Sequence, residues 1–235
     1  MVVKPVVIGI EGNIGVGKTS FRTMIENLFP NLRVLFLQEP LDLWTCCGPN
    51  KLNILKAFYD NPREYAYTFQ SFAIATRNAM PAGAMNADKY DLIFMERTPF
   101  SDSLFTDLCQ QNGYIDEFEY AAYEQWREYL FQLAKDSIDF IFYLRASPDT
   151  CLKRVQERSR DEEIKTVDLD YLKKLHDLHE QWLYPPVEDF FVSIESKYRK
   201  PYISISMEEP LSEVRKQVQK NVPGIIQRIF YCRQD

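Results

Sequence analysis

The stretch IEGNIGVGKTSF (residues 10 to 21) carries residues arranged for phosphate chemistry. Gly12, Gly17, Lys18 and Thr19 fit GxxxxGK[ST], with strand-like VVIGI before them and an apolar-periodic run after. Glycines let the backbone close around phosphate oxygens, and the free N–H groups of a helix start supply directed donors and partial positive charge. Lys18 would reach terminal phosphates and the Thr19 hydroxyl would hold Mg²⁺. Gly12, Asn13, Gly15, Gly17, Lys18, Thr19 and Ser20 are therefore the candidates for holding a nucleoside triphosphate, most simply ATP. Two carboxylates stand at strand ends, Glu39 in LQEP and Glu96 in FMERT. Such a carboxylate can accept the proton of an attacking hydroxyl or serve a metal, and Arg97 beside Glu96 can neutralise charge in transfer.

Further along, CLKRVQERSRDEE places Arg154 and Arg158 one helical turn apart, with Arg160 following. The spacing suits both a basic cover over a triphosphate and a solvated face pairing with Glu157, Asp161, Glu162 and Glu163. In KLHDLHEQW, His176 and His179 lie three residues apart, but they are the chain's 2 histidines and the order is not HExxH, so packing or surface roles fit better than zinc.

The elements that must position these groups follow from the apolar pattern. VVIGI (6 to 10), RVLFLQ (33 to 38), DLIFM (91 to 95), DFIFYL (139 to 144) and PYISIS (201 to 206) are short apolar runs bounded by turn or charged residues, the pattern of buried parallel strands. Helical spacing fills 18 to 29, 52 to 85 in two pieces, 101 to 112, 116 to 135, 148 to 160 and 168 to 191. This alternation predicts an α/β fold, a parallel sheet with helices on both faces and ligands beyond the carboxyl ends of the strands. The long insertion between the second and third strands predicts an extra helix pair that builds part of a substrate pocket. Residues 207 to 235 carry no assignable motif.

The 235 residues, 46% hydrophobic, suffice for one large core. No apolar run approaches the roughly 20 residues that cross a bilayer, and MVVKPVV has neither secretory nor transit character, so a cytoplasmic protein without membrane partner is expected. Five cysteines without CxxC spacing fit reduced thiols. A net charge of −6 argues against nucleic-acid binding, which draws on clustered Lys and Arg. GTPases lack their expected DxxG and NKxD here, and the chain is short for a motor. A small-molecule kinase remains.

In order along the chain, these motifs resemble the deoxynucleoside kinase family from the phosphate loop to about Leu183. EPLDLW (39 to 44) resembles the family's EPxxxW, which implies Glu39 as general base for a nucleoside 5′-hydroxyl and Trp44 as pocket wall. YTFQSFAIATR (67 to 77) is similar to its substrate helix, which gives Gln70 the base edge. Tyr59 matches a tyrosine on the sugar 3′-hydroxyl. ERTPFSD (96 to 102) is similar to ERSxxSD, with Thr98 in place of serine; Glu96 then serves metal or base and Arg97 lies near the 5′ end. RVQERSR resembles the arginine-rich lid, about 154 to 166, so that Arg154, Arg158 and Arg160 close over the donor. YLKKLHDLHEQWL matches the next helix, giving Glu180 the sugar-binding glutamate position.

The resemblance implies a single P-loop kinase domain over 1–235. Its expected activity is Mg²⁺-dependent transfer of the ATP γ-phosphoryl group to a deoxynucleoside in nucleotide salvage. Ala73, Arg77 and Asp102 are of the set that favours deoxycytidine, with purine deoxynucleosides next. An Arg–Asp pair presents a fixed acceptor to an exocyclic amine. Trp44, Phe72 and Phe105 are candidates to sandwich the base, with core packing the alternative. A thymidylate-like monophosphate kinase would need extra basic residues that do not stand beside Glu39. An inactive structural subunit would lack Lys18 or the base. Apolar faces on 101 to 112 (Leu104, Phe105, Leu108) and 116 to 135 (Tyr123, Trp126, Leu130, Leu133) imply a homodimer by the same resemblance.

Overall fold

The computed structural model describes residues 4–84, 89–158, 167–183 and 200–232. All five apolar runs are strands: β1 (Val6–Glu11), β2 (Val34–Leu37), β3 (Leu92–Glu96), β4 (Phe140–Arg145) and β5 (Tyr202–Ser206). They form one parallel sheet in the order β2-β3-β1-β4-β5. β1 lies in the middle and every one of its residues is buried, whereas β2 and β5 at the edges are half-covered. This is why the central strands read as unbroken apolar runs: a parallel strand covered on both faces has no polar side to alternate with.

Helices pack around the sheet: α1 (Lys18–Ile25), α2 (Leu41–Thr45), α3 (Ile54–Asp60), α4 (Pro62–Ala84), α5 (Pro99–Gln111), α6 (Glu117–Lys135), α7 (Pro148–Arg158), α8 (Leu169–Leu183) and α9 (Leu211–Cys232). α1 is shorter than the periodicity predicts. It tightens through Leu28 N–H to the Ile25 carbonyl, 3.0 Å, ahead of Pro30, which disfavours helix at the residue before it. α2 is too short to register as a period. The unassigned tail is a helix whose Val214, Val218, Val222 and Ile226, four residues apart, are buried as it packs along α1. The expected helices ending at 160 and 191 are described to Arg158 and Leu183; their remaining residues lie outside the described ones.

The main core surrounds the sheet. A second apolar cluster, with Trp44, Phe58, Phe69, Ala73 and Cys109 among its members, lies under α2 to α5. Its helices include the predicted helix pair of the insertion, now α3 and α4 together with α2. The turns after β1, β2 and β3 and the inner face of this cluster converge on one cavity.

Candidate active site

The cavity has a volume of about 480 Å³. Its phosphate end is the loop from β1 into α1. A Cβ on Gly12 would come 2.4 Å from the Leu144 carbonyl oxygen, and one on Gly15 equally close to that of Cys151. Both positions also have φ in the left-handed region, 141° and 76°, so glycine is required twice over. Lys18 Nζ donates to the carbonyls of Gly12 (3.4 Å) and Asn13 (3.1 Å), which draws the loop into a ring around the ammonium. Burial and then Arg97 pull that ammonium down to about 8, against Glu96, Glu39 and Glu11. Thr19 lines the same cavity. Ser20 instead faces a separate cavity with Thr23, Leu211 and Arg215. The Asn13 side chain also turns away, donating to the Leu172 carbonyl (2.9 Å) and accepting from Ile14 N–H (2.8 Å). It braces the loop against α8.

The acids and arginines meet in the middle. Arg77, 2% exposed, donates from Nε to both Asp102 oxygens (3.0 and 2.9 Å), from Nη1 to the Glu96 carbonyl (3.1 Å) and from Nη2 to Glu39 Oε1 (3.4 Å). Arg97 Nε lies 3.2 Å from the same Glu39 oxygen, and its guanidinium covers the Phe105 ring at 4.6 Å. Burial pushes the Glu39 carboxyl up, but Arg77, Arg97 and Lys18 outweigh it and hold it below its ordinary value. Glu39 is thus ionised at neutral pH. Burial pushes Asp102 up to about 6 against the pull of Arg77 and Arg97. Arg97 has φ 60°, a left-handed backbone uncommon outside glycine, and its buried Nη1 has no partner among the described residues.

At the other end the cavity is aromatic. Trp44, Tyr59, Gln70, Ala73 and Phe105, all candidates from the sequence, line it. Trp44 is oriented by Nε1 donating to Thr76 Oγ1 (3.0 Å). Phe72 does not line it; Phe69 and Phe58 do, stacked on each other at 5.1 Å with Trp44 edge-on to Phe69. Helical geometry explains the exchange, since Phe69, Ala73 and Arg77 follow one another at four-residue steps while Phe72 lies across α4 from Gln70. Gln70 Nε2 is held 3.7 Å from Cys109 Sγ. Tyr171 of α8 also faces the cavity; burial and then Tyr59 push its hydroxyl well above the ordinary range, so it stays neutral.

Several sequence-based expectations fall elsewhere. Glu180 accepts from the Tyr143 hydroxyl (2.6 Å) and pairs with Arg145 (2.9 Å), and it does not line the cavity. Arg154 donates to the carbonyls of Val16 (3.1 Å) and Met207 (2.8 Å), tying the phosphate loop to the end of β5 rather than covering the cavity. Arg158 does line the cavity, and Arg160 lies outside the described residues, as does most of the lid. His179 is buried against Tyr143 with Nδ1 donating to the Leu175 carbonyl (2.7 Å), a packing role. Burial and then Arg97 lower its pKa to about 3. Sequence reasoning passed over Glu11, Phe58, Phe69, Cys109 and Tyr171. Only Phe69 carried a signal, its place on the helical face of Gln70, Ala73 and Arg77.

A phosphate cradle, an ionised strand-end carboxylate between two arginines and an aromatic pocket in one cavity define a P-loop kinase for a small planar acceptor. A model of the deoxynucleoside kinase family matches residues 8–227. The chain is 40% identical over 177 residues to a probable deoxycytidine kinase of Fowlpox virus, covering 75% of this chain and 71% of that protein. It is 33% identical over 221 residues to the mitochondrial deoxyguanosine kinase of Xenopus laevis, covering 86% and 81%. It is 32% identical over 196 residues to the deoxycytidine kinase of Homo sapiens, covering 75% and 74%. The chain belongs to the deoxynucleoside kinase family, ATP-dependent phosphotransferases on the P-loop kinase fold.

Proposed function

We propose that this chain, working as one domain, transfers the γ-phosphoryl group of ATP to the 5′-hydroxyl of a deoxynucleoside in nucleotide salvage, with deoxycytidine preferred and purine deoxynucleosides next. The observation that carries this reading is Glu39, ionised between Arg77 and Arg97 in the cavity that also holds Lys18. Glu39 accepts the 5′-hydroxyl proton. Lys18 and the loop N–H groups hold the donor phosphates, and the free Nη1 of Arg97 is a buried donor that a phosphoryl oxygen would satisfy. Arg158, which lines the cavity, adds positive charge there. Thr19 and Glu96, both cavity-lining oxygen donors, suit Mg²⁺, which takes a few protein oxygens and keeps its other positions for phosphate and water. The ion supplies charge neutralisation on the phosphates.

Trp44, Phe58, Phe69 and Phe105 enclose the base, Gln70 reads its edge, and Tyr59 with Tyr171 stands at the sugar. The Arg77–Asp102 pair, which lines the cavity beside Ala73, favours bases with an exocyclic amine. No helix among the described residues is long and apolar enough to cross a membrane. With five free cysteines and an acidic chain, a cytoplasmic homodimer without nucleic-acid or membrane partners fits best.

The test is Mg-ATP with deoxycytidine, deoxyadenosine, deoxyguanosine and thymidine in parallel, together with Glu39→Gln. Deoxycytidine should be phosphorylated best, and Glu39→Gln should lower kcat by about 10²- to 10⁴-fold with little change in nucleoside KM. Thymidine as best substrate by a wide margin would sink the base preference alone. Full activity of Glu39→Gln would remove the base.

A further inference from the structure

Glu11 has no place in the scheme above, yet its setting is unusual. It ends β1, is fully buried, and stands just ahead of the phosphate loop. Its Oε1 accepts both from the Thr98 backbone N–H (2.6 Å) and from the Thr98 hydroxyl (2.5 Å), 87 residues away. Its Oε2 is buried with no partner among the described residues. Leaving a carboxylate oxygen so is costly, and a β1 position would ordinarily take an aliphatic side chain. Something holds the acid there.

The Thr98 side shows what it is. Thr98 is the N-cap of α5, a position where a threonine hydroxyl normally accepts from the helix N–H groups, but here it makes no capping bond and donates to Glu11 instead. The residue before it is Arg97, with its left-handed φ of 60°. That turn aims the guanidinium at Glu39 Nε-first, 3.2 Å away. On the other side, Arg97 N–H is tied to the Ile10 carbonyl (3.0 Å), one residue before Glu11. The strained residue is therefore clamped at both ends by Ile10 and Glu11. Gly9 completes the clamp: a Cβ there would lie 2.5 Å from Thr98 Cγ2, so the methyl that distinguishes Thr98 from serine occupies the slot that Gly9 leaves open.

We infer that Glu11 is a positioning residue which, through Thr98, holds the strained Arg97 turn so that the Arg97 guanidinium is set on Glu39 for phosphoryl transfer. This rests on the kinase reading for its catalytic consequence and on the geometry alone for its structural one. Loss of the Thr98 hydroxyl leaves Arg97 free to relax from the left-handed region, and a displacement of an ångström at such a group is worth about a hundredfold in rate.

The experiment compares wild type, Glu11→Leu, Thr98→Val, Thr98→Ser and Arg97→Ala, with Thr98→Val also made in the Arg97→Ala background. Thr98→Val and Glu11→Leu should lower kcat by about ten- to a hundredfold with nucleoside KM within about twofold, and Thr98→Ser should regain most of the rate. In the Arg97→Ala background Thr98→Val should cost nothing further, because it acts through Arg97. Multiplying losses would overturn the proposal. Independently of turnover, the Arg97 Nε–H resonance of the nucleoside-free protein should shift and lose exchange protection in Thr98→Val and Glu11→Leu. An unaltered resonance would also overturn it. A wild type that phosphorylates no nucleoside would sink the kinase reading and leave the resonance to judge the clamp.

Discussion

Single side chains decide the electrostatics of the cavity, and two of them set its pH behaviour. Glu39, held below its ordinary pKa by Arg77, Arg97 and Lys18 against its burial, stays ionised as pH falls to that ordinary value. Lys18, lowered to about 8, loses its charge as pH rises through that value in the free protein. Phosphate raises the lysine pKa on binding, so ATP capture weakens as pH climbs above about 8, and binding there draws a proton from buffer. The expected kcat/KM for ATP is therefore flat from about pH 6.5 to 7.5, above the range where Asp102 takes up its proton, and falls above 8, and Lys18→Arg should remove the basic limb along with most activity. Calorimetry at pH 8.5 in buffers of different ionisation enthalpy should report the proton uptake directly. The second prediction concerns Arg77 and Asp102, both nearly fully buried. Arg77→Met strands a buried carboxylate and should destabilise by about 3 to 5 kcal/mol in urea melts. The double variant Arg77→Met/Asp102→Ala should regain much of that while losing discrimination between deoxycytidine and thymidine. A double variant that kept the preference would show that Gln70 alone reads the base.

Elements carry those side chains, and the phosphate loop shows how backbone geometry limits substitution. Gly15→Ala drives a Cβ into the Cys151 carbonyl of α7 at a left-handed φ, so ATP affinity should fall by at least about a hundredfold by calorimetry. Gly48→Ala is the control: its φ is 66°, but nothing lies within 4 Å of the added Cβ, so only backbone strain of about 1 kcal/mol should appear in the melting curve. Equal effects would mean that the close approach to α7 is unimportant. Gly15 stands inside the phosphate-loop motif and Gly48 outside it, but the sequence does not show what a Cβ at either would meet, which is the general limit of reading it. The strands were legible because parallel strands buried on both faces admit only apolar residues, and the loop was legible because phosphate needs that glycine spacing. Gln70, Arg77 and Asp102 were legible only as parts of motifs, Glu39 also as an acid at a strand end, and the structure brings them into one cavity. Glu11 was not, since one acid at the end of an apolar strand does not announce that its partner is Thr98. Glu180 and Arg154 fell elsewhere for a related reason. Motif position fixes the helix that carries a side chain, but competing partners decide where it points: the Tyr143 hydroxyl and Arg145 donate to the first, and the Val16 and Met207 carbonyls accept from the second.

At the scale of the whole molecule, the exposed face of α6 is the feature that one chain does not account for. The sequence pattern put Tyr123, Trp126, Leu130 and Leu133 on one apolar face, and the structure divides them. Tyr123 and Leu130 are buried within the chain, while Trp126 and Leu133 join Phe118 and Tyr129 in an outward stripe, each more than half exposed. Four large apolar side chains along one helix exceed what scattered surface hydrophobics need, and their loss to water should be relieved by association. A two-fold axis across α6 would let the stripe meet its own copy, so that the same four residues would serve both sides of the contact and the assembly would close at two. The expected particle in sedimentation or light scattering at micromolar concentration has twice the 27.7 kDa mass of the chain. Trp126→Glu with Tyr129→Glu should convert it to a monomer, because burying like, unpaired charge on both sides of the axis costs more than the apolar contact returns. The cavity lies away from these residues, so the monomeric variant should still bind ATP with the wild-type affinity, measured by calorimetry. A wild type that sediments as a monomer would sink the dimer without touching the phosphate site, since none of the four lines the cavity.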